Sequence, residues 1–185
     1  TDRRQRQMCI RDSGSAVPVI VGAPAGLSED RLKAIGSAGA SSGSLAMFHV
    51  VGSTPEAPDL ETACGGRVPT DRHVITAADL RTARDQLTTS NNAKLGAISL
   101  GTPHYSVPEF ARLIELLGDR RIHPDVHAYV NTGRSVAHEL DLRGWSTQLA
   151  DAGVQLVTDT CTYITPVMAD VHGTAMTDSA KWAYY

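Results

Sequence analysis

Four stretches of this 185-residue chain gather side chains that can do chemistry: Gly101-Thr102-Pro103-His104, Asn131-Thr132-Gly133-Arg134, Asp159-Thr160-Cys161-Thr162 and Thr177-Asp178-Ser179-Ala180-Lys181. The thiolate of Cys161 can ligate a metal or attack a substrate; the alternative is an inert core thiol, since cysteine is among the most buried residue types. Ser179 and Lys181 stand where a final helix would begin. Outward-pointing N–H groups there favour an anion, and the lysine charge can bind a carboxylate or lower the pKa of the serine hydroxyl. A serine at that position can equally be a helix cap alone. Arg134 can fork onto a carboxylate or lie solvated at a helix start. His104 follows a glycine that admits close backbone approach and a proline that fixes the turn. It suits acid–base work or carboxylate binding, or else a hydrogen bond to a helix N-terminus.

Each stretch follows a candidate strand. Three of these, residues 95–100, 126–130 and 154–158, read as buried strands, and strands that run parallel present all their C-terminal ends along one sheet edge. Residues far apart in sequence then meet at one crevice. The intervening segments read as helices. Ser106 and Glu109 form a capping box, and Phe110, Leu113, Ile114 and Leu117 follow the i, i+3, i+4, i+7 spacing of a buried face that should lie on the strands. Gly118 ends that helix, and 135–152 is one interrupted helix or two short ones around Gly144. In the first half, 17–21 and 45–51 read as strands. Ser28 caps a helix with Glu29 and Asp30 in its first turn and Leu32 and Ile35 facing inward. Residues 60–64 make a short helix, and Thr76 with Asp79 starts another over 77–87. The expected fold is α/β, a three-layer arrangement with a mostly parallel sheet and right-handed crossovers, with a possible sub-domain seam at 88–94.

Composition narrows the function. Basic and acidic residues number 17 and 20, and no basic stripe interleaved with aromatics occurs, which argues against nucleic acid. No apolar run approaches the ~18 residues of a spanning helix, so no membrane partner is expected. Cys9, Cys64 and Cys161 are odd in number and scattered, which argues against a disulfide framework and for a reducing compartment, the cytoplasm. Cys64 reads as structural and His49 as a core histidine. His73, His123, His127, His138 and His172 share no metal-site spacing and read as surface. Residues 1–13 carry four arginines and no apolar period or h-region. They resemble a translated transposon-end sequencing adapter and are expected to be a non-native or disordered head. A helix begun at Asp178 or Ser179 stops within two turns at Tyr185, so the chain reads as a fragment.

Several segments together resemble one family. Phe48-His49-Val50-Val51-Gly52 with Thr54-Pro55-Glu56-Ala57-Pro58, then Leu100-Gly101-Thr102-Pro103-His104, Thr158-Asp159-Thr160-Cys161 and Asp178-Ser179-Ala180-Lys181-Trp182-Ala183-Tyr184-Tyr185, are similar in order and type to the catalytic part of aconitase X. The resemblance runs collinearly over about residues 18–185. It implies an aconitase-like catalytic region of a larger protein, with more large-domain sequence and a small swivelling domain or partner subunit outside the chain. Members are hydro-lyases: bacterial ones dehydrate cis-3-hydroxy-L-proline and archaeal ones phosphomevalonate.

The same resemblance implies roles. Ser179 would be the base, activated by its helix terminus and Lys181, with His104 also catalytic. Arg134 or Lys181 would hold the substrate carboxylate, and Thr102, Thr132 and Asp159 would bind substrate beside Arg134. Cys161 would give one ligand to an iron or iron–sulfur centre, [2Fe–2S] or mononuclear, whose other ligands lie outside this chain. Three positions depart from the family pattern. Asp178 stands where Asn is usual, Gly133 where Ser is usual, and Thr102 where the archaeal type has a cysteine. The last favours hydroxyproline, giving Δ1-pyrroline-2-carboxylate, over phosphomevalonate. Two other classes stay open: a carboxylate-binding fragment without catalysis, and a thiol-dependent transferase or hydrolase with Cys161 as nucleophile.

Overall fold

A computed structural model of the chain describes residues 17–90, 94–169 and 172–185. The head at 1–13 lies outside them, as does the middle of the expected seam at 88–94. The chain divides between Arg84 and Asp85 into two compact units.

The second unit is built on β3 (Leu95–Tyr105), β4 (His127–Thr132), β5 (Val154–Thr158) and β6 (Thr174–Met176), a sheet of order β5-β4-β3-β6 in which every pairing is parallel. Its helices are α4 (Val107–Leu117), α5 (Arg134–Leu142), α6 (Trp145–Asp151) and α7 (Ala180–Tyr184). Alternation along the strands decides which way each residue faces. Ile98, Leu100, Ala128, Val130, Val154 and Leu156 form one core with Phe110, Leu140 and Leu149, and Leu113, Ile114 and Leu117 pack against it, so the whole predicted stripe of α4 is used. The alternate residues meet the chain that follows β5: Ser99 Oγ lies 2.5 Å from Thr162 Oγ1, and the Ala169 N–H donates to the Tyr129 hydroxyl at 3.0 Å. The capping box at Ser106 and Glu109 is formed in both directions. Gly144, at φ 72°, separates α5 from α6, so two short helices replace a single one.

Two strands run further than expected. β4 continues through Asn131 and Thr132, and β3 continues past Leu100 to Tyr105. Pairing between them leaves register after Leu100↔Val130 and resumes at Tyr105↔Thr132, so residues 101–104 stand opposite Asn131 alone. Gly101 makes this bulge possible. Its φ is +78°, and a Cβ there would come within 2.2 Å of the Asn131 carbonyl oxygen and 2.9 Å of its nitrogen. Only glycine combines that dihedral with that closeness. Thr102, Pro103 and His104 therefore belong to a bulged strand end, not to a strand-to-helix loop.

The first unit pairs β1 (Val19–Ile20) in parallel with β2 (His49–Val50), joined by α1 (Glu29–Gly43). Ser28 caps α1, accepting the Arg31 N–H at 3.4 Å, and Leu32 and Ile35 are half-buried. Both strands are shorter than the apolar runs that announce them: among the described residues only Val19↔His49 and Ile20↔Val50 pair. Val50 and Ala57 are fully buried, and Ala57 accepts the Gly52 N–H at 2.9 Å. α2 (Leu60–Ala63) follows, then α3 (Ala77–Leu87), which is begun by reciprocal hydrogen bonds between Thr76 and Asp79 and whose last three residues fall past the boundary at Arg84. Among the described residues no helix is long and apolar enough to cross a membrane.

Replacing Gly101 by alanine is expected to cost ~3 kcal/mol or more, since left-handed backbone strain adds to overlap with Asn131. Gly144→Ala meets nothing within 4 Å and should cost only the backbone term, ~1–2 kcal/mol. Urea unfolding of the two variants checks the contrast, and equal losses would contradict the bulge account.

Candidate active site

The ends of β3, β4 and β5 are tied to one another by polar side chains that the strands themselves bury. Asn131, fully buried, donates from Nδ2 to the Leu100 carbonyl at 2.8 Å and to the Thr102 hydroxyl at 3.3 Å. Thr132 Oγ1 donates to the Tyr105 carbonyl at 2.8 Å, and the Asp159 N–H to the Thr132 carbonyl at 2.9 Å. His104 Nε2 stands 2.9 Å from the Thr160 carbonyl. Because a carbonyl can only accept, this bond places a proton on Nε2.

Ser179 reaches the same edge from the start of α7. Only 8% exposed, it donates its hydroxyl to the Thr102 carbonyl and accepts the Trp182 N–H at 3.0 Å. The Trp182 indole in turn donates to Thr162 Oγ1 at 3.1 Å. Tyr105 donates to Asp178 Oδ2 at 2.6 Å. Lys181 Nζ lies 6.0 Å from the centroid of Tyr163, whose ring stacks on Tyr185 at 5.1 Å. Cys161 is half-buried between Thr160 and Thr162, and its carbonyl accepts the N–H groups of Ile164 and Thr165 in the turn after β5.

Arg134 and Asp159 are joined. Asp159 takes φ +60°, a left-handed turn that aspartate tolerates better than most residues. The turn aims its carboxylate at α5, where it accepts the Arg134 N–H at 2.9 Å and pairs with Nε of the same residue. The backbone N–H bond, then the guanidinium, hold the Asp159 carboxyl below its ordinary value, and the charge of His104 acts in the same direction. Tyr105 moves the opposite way. Burial, then the hydrogen bond and charge of Asp178, then Glu109, make its phenol a weaker acid than usual, so it stays a donor.

The structure thus links Thr102 to Ser179, His104 to the stretch holding Cys161, and Arg134 to Asp159, and Thr132 joins β3 to β5. Lys181 is brought to Tyr163. Asn131 and Tyr105 escaped the sequence reading, although Asn131 opens one of the four stretches and an asparagine amid an apolar strand is itself a signal. His73, His123, His138 and His172 are exposed as expected; His127 is half-buried and stacks on Tyr129, and His49 is half-buried in β2. Among the described residues no group of three or more His, Cys, Asp or Glu side chains can hold an ion. Cys161, half-buried after β5, is therefore not part of a complete ligand set among the described residues.

Two family models cover these units: the aconitase X second domain over residues 9–85 and the aconitase X third domain over residues 95–185. The chain belongs to the aconitase X family. A cis-3-hydroxy-L-proline dehydratase of Pseudomonas aeruginosa is 40% identical over 84% of this chain and 27% of its own length. One from Hypocrea jecorina is 38% identical over 95% of this chain and 30% of its own. The phosphomevalonate dehydratase large subunit of Methanothermobacter thermautotrophicus is 34% identical over 85% of this chain and 38% of its own. The chain therefore spans 27–38% of the length of these curated relatives. The crystal structure of Thermococcus kodakaraensis aconitase X in its holo-form superposes with a TM-score of 0.76, covering 96% of this chain and 44% of that one at 23% identity. The aconitase X fold is shared.

The Asp159 clamp gives a signed pH dependence. A carboxyl depressed by folding adds stability that is fully present above its unfolded value, about 3.9, and is lost as pH falls through the lower folded value. Comparing wild type with Asp159→Asn from pH 7 down to pH 2 should show a stability difference that shrinks below about pH 4. A difference independent of pH would contradict the clamp.

Proposed function

We propose that the complete protein dehydrates cis-3-hydroxy-L-proline, and that Ser179 removes the proton next to the carboxylate. The observation that carries this reading is the setting of the Ser179 hydroxyl, nearly buried at a sheet edge and held between the Thr102 carbonyl and the Trp182 N–H. The substrate choice is supported by the relatives named for that reaction, at 40% and 38% identity, against 34% and below for those named for phosphomevalonate.

Elimination requires a base for the C2 proton, a cation for the carboxylate and a proton for the departing hydroxyl. The Trp182 N–H stabilises negative charge on Ser179 Oγ, and Lys181, two residues on, adds a positive field. To act as the base Ser179 must be the alkoxide: its proton passes to solvent as the substrate binds, the bond to the Thr102 carbonyl is lost with it, and the C2 proton then restores the hydroxyl. Asp159 engages Arg134 through its N–H and Nε, and the terminal guanidinium nitrogens would take the substrate carboxylate. His104, anchored through Nε2 on Thr160, exchanges the second proton. Thr102 and Thr132, expected to touch substrate, are instead buried with their hydroxyls engaged by Asn131 and the Tyr105 carbonyl, so they support the site from within the ends of β3 and β4. Loss of the C2 proton and the 3-hydroxyl gives a cyclic enamine that tautomerises to Δ1-pyrroline-2-carboxylate.

Cys161 would hold one position of an iron or iron–sulfur centre, [2Fe–2S] or mononuclear, with the remaining ligands outside this chain; bound there, the centre supplies a Lewis acid for the leaving oxygen. A cytoplasmic setting suits a thiolate ligand that must stay reduced. Further large-domain sequence and a small swivelling domain or subunit would close the site over the substrate.

In the holoenzyme, Ser179→Ala should lower kcat ~100-fold or more with KM little changed, because a base acts in the transition state and contributes little to binding. Normal turnover by this variant would remove Ser179 from the role. Cys161→Ala should lose iron, measured by metal analysis, together with activity; full iron content would contradict the ligand assignment. Turnover of phosphomevalonate with none of hydroxyproline would replace the substrate and keep the family.

A further inference from the structure

We infer that Tyr105 is a positioning residue for Ser179 and acts through Asp178. This rests on the reading of Ser179 as the base. Tyr105 is the last residue of β3, beyond the bulge, and two contacts fix it from the interior. Its ring meets Phe110 edge-on, centroids 5.5 Å apart at 81°, and Phe110 is fully buried in the core. Its carbonyl accepts the Thr132 hydroxyl at 2.8 Å. The phenol oxygen is therefore placed by the sheet, and from there it donates at 2.6 Å to Asp178 Oδ2, across 73 residues of chain.

Asp178 directly precedes Ser179, so the serine has two attachments to β3. One is its own hydroxyl on the Thr102 carbonyl, which is given up when that hydroxyl turns to a substrate. The other is the Asp178 carboxylate on Tyr105, which leaves the reacting oxygen uninvolved. During turnover the second attachment is the one that persists. Burial and the nearby carboxylates of Asp178 and Glu109 keep the phenol protonated and donating.

The test uses the holoenzyme and cis-3-hydroxy-L-proline. Tyr105→Phe retains the ring and its contact with Phe110, so Tm should move little. Its kcat should fall ~10–100-fold with KM within about threefold, the scale expected when a reacting group is misplaced by about an ångström. Asp178→Ala should match it, while Asp178→Asn, which keeps an acceptor oxygen, should lose only about threefold because the hydrogen bond is retained. In a Ser179→Ala background, Tyr105→Phe should cost nothing further, as required of a residue acting through the serine. Wild-type kcat in Tyr105→Phe beside an impaired Ser179→Ala, or an additive loss in the double variant, would overturn the inference and leave the base intact. Wild-type turnover in Ser179→Ala would remove the base instead. Crystal structures of wild type and Tyr105→Phe with pyrrole-2-carboxylate bound, when the serine has left the Thr102 carbonyl, then decide the positioning role: Ser179 Oγ displaced in the variant supports it, and a serine in the wild-type position refutes it.

Discussion

The backbone of Gly101 lies against the backbone of Asn131, and the rest of the site depends on that approach. A side chain at 101 would overlap the Asn131 carbonyl, and without the positive φ the strand would continue flat. Because the chain bulges there, three extra residues are stored between Leu100 and Tyr105, while Tyr105 still returns to pair with Thr132. The stored residues include the carbonyl of Thr102, which receives Ser179, and the imidazole of His104, which reaches Thr160. A regular strand would end with alternating side chains and a uniformly paired backbone. The bulge makes a backbone acceptor available to a side chain from another element.

Burial of polar groups around the bulge accounts for the hydrogen-bond network that ties the strand ends together. Ser99, Thr102, Asn131, Thr132, Thr162 and Ser179 are all buried. An unpaired buried hydroxyl costs ~1–3 kcal/mol, so each must find a partner. They find one another or the strand-end carbonyls, which fixes positions that sheet pairing alone would leave adjustable. The Asn131 side-chain oxygen is the exception, buried with no partner among the described residues. Its amide is committed to Leu100 and Thr102 by the opposite end, and the cost is carried at the place where β3 is bent. Preorganisation of this kind lowers what must be rearranged when charge develops on the serine.

Much of the frame was legible in the sequence because it is written in local signals. The capping box at Ser106, the helical stripe from Phe110 to Leu117 and the glycine at 144 each act within a turn or two, and each formed as read. Parallel order followed from strands separated by helices, and the collinear motifs carried the family. The length of β3 was not legible, since Gly101 and Pro103 read as the end of a strand when they are the means of bending one. The clamp between Arg134 and Asp159 spans 25 residues and needs a left-handed aspartate, which no periodicity announces. Tyr105 and Asp178 are further apart still, and their meeting is a property of the sheet order, with the last helix entering beside β3 after the chain has crossed to β6.

A planar mimic of the ring after proton loss, pyrrole-2-carboxylate, soaked into crystals of the holoenzyme, tests the centre of this account most directly. The predicted result places ring carbon 2 about 3–3.5 Å from Ser179 Oγ, as a near-attack arrangement requires, with the carboxylate on the terminal nitrogens of Arg134 and the hydroxyl turned away from the Thr102 carbonyl. A mimic bound with its carboxylate away from Arg134, or with Ser179 still on Thr102 and another base facing carbon 2, would contradict it.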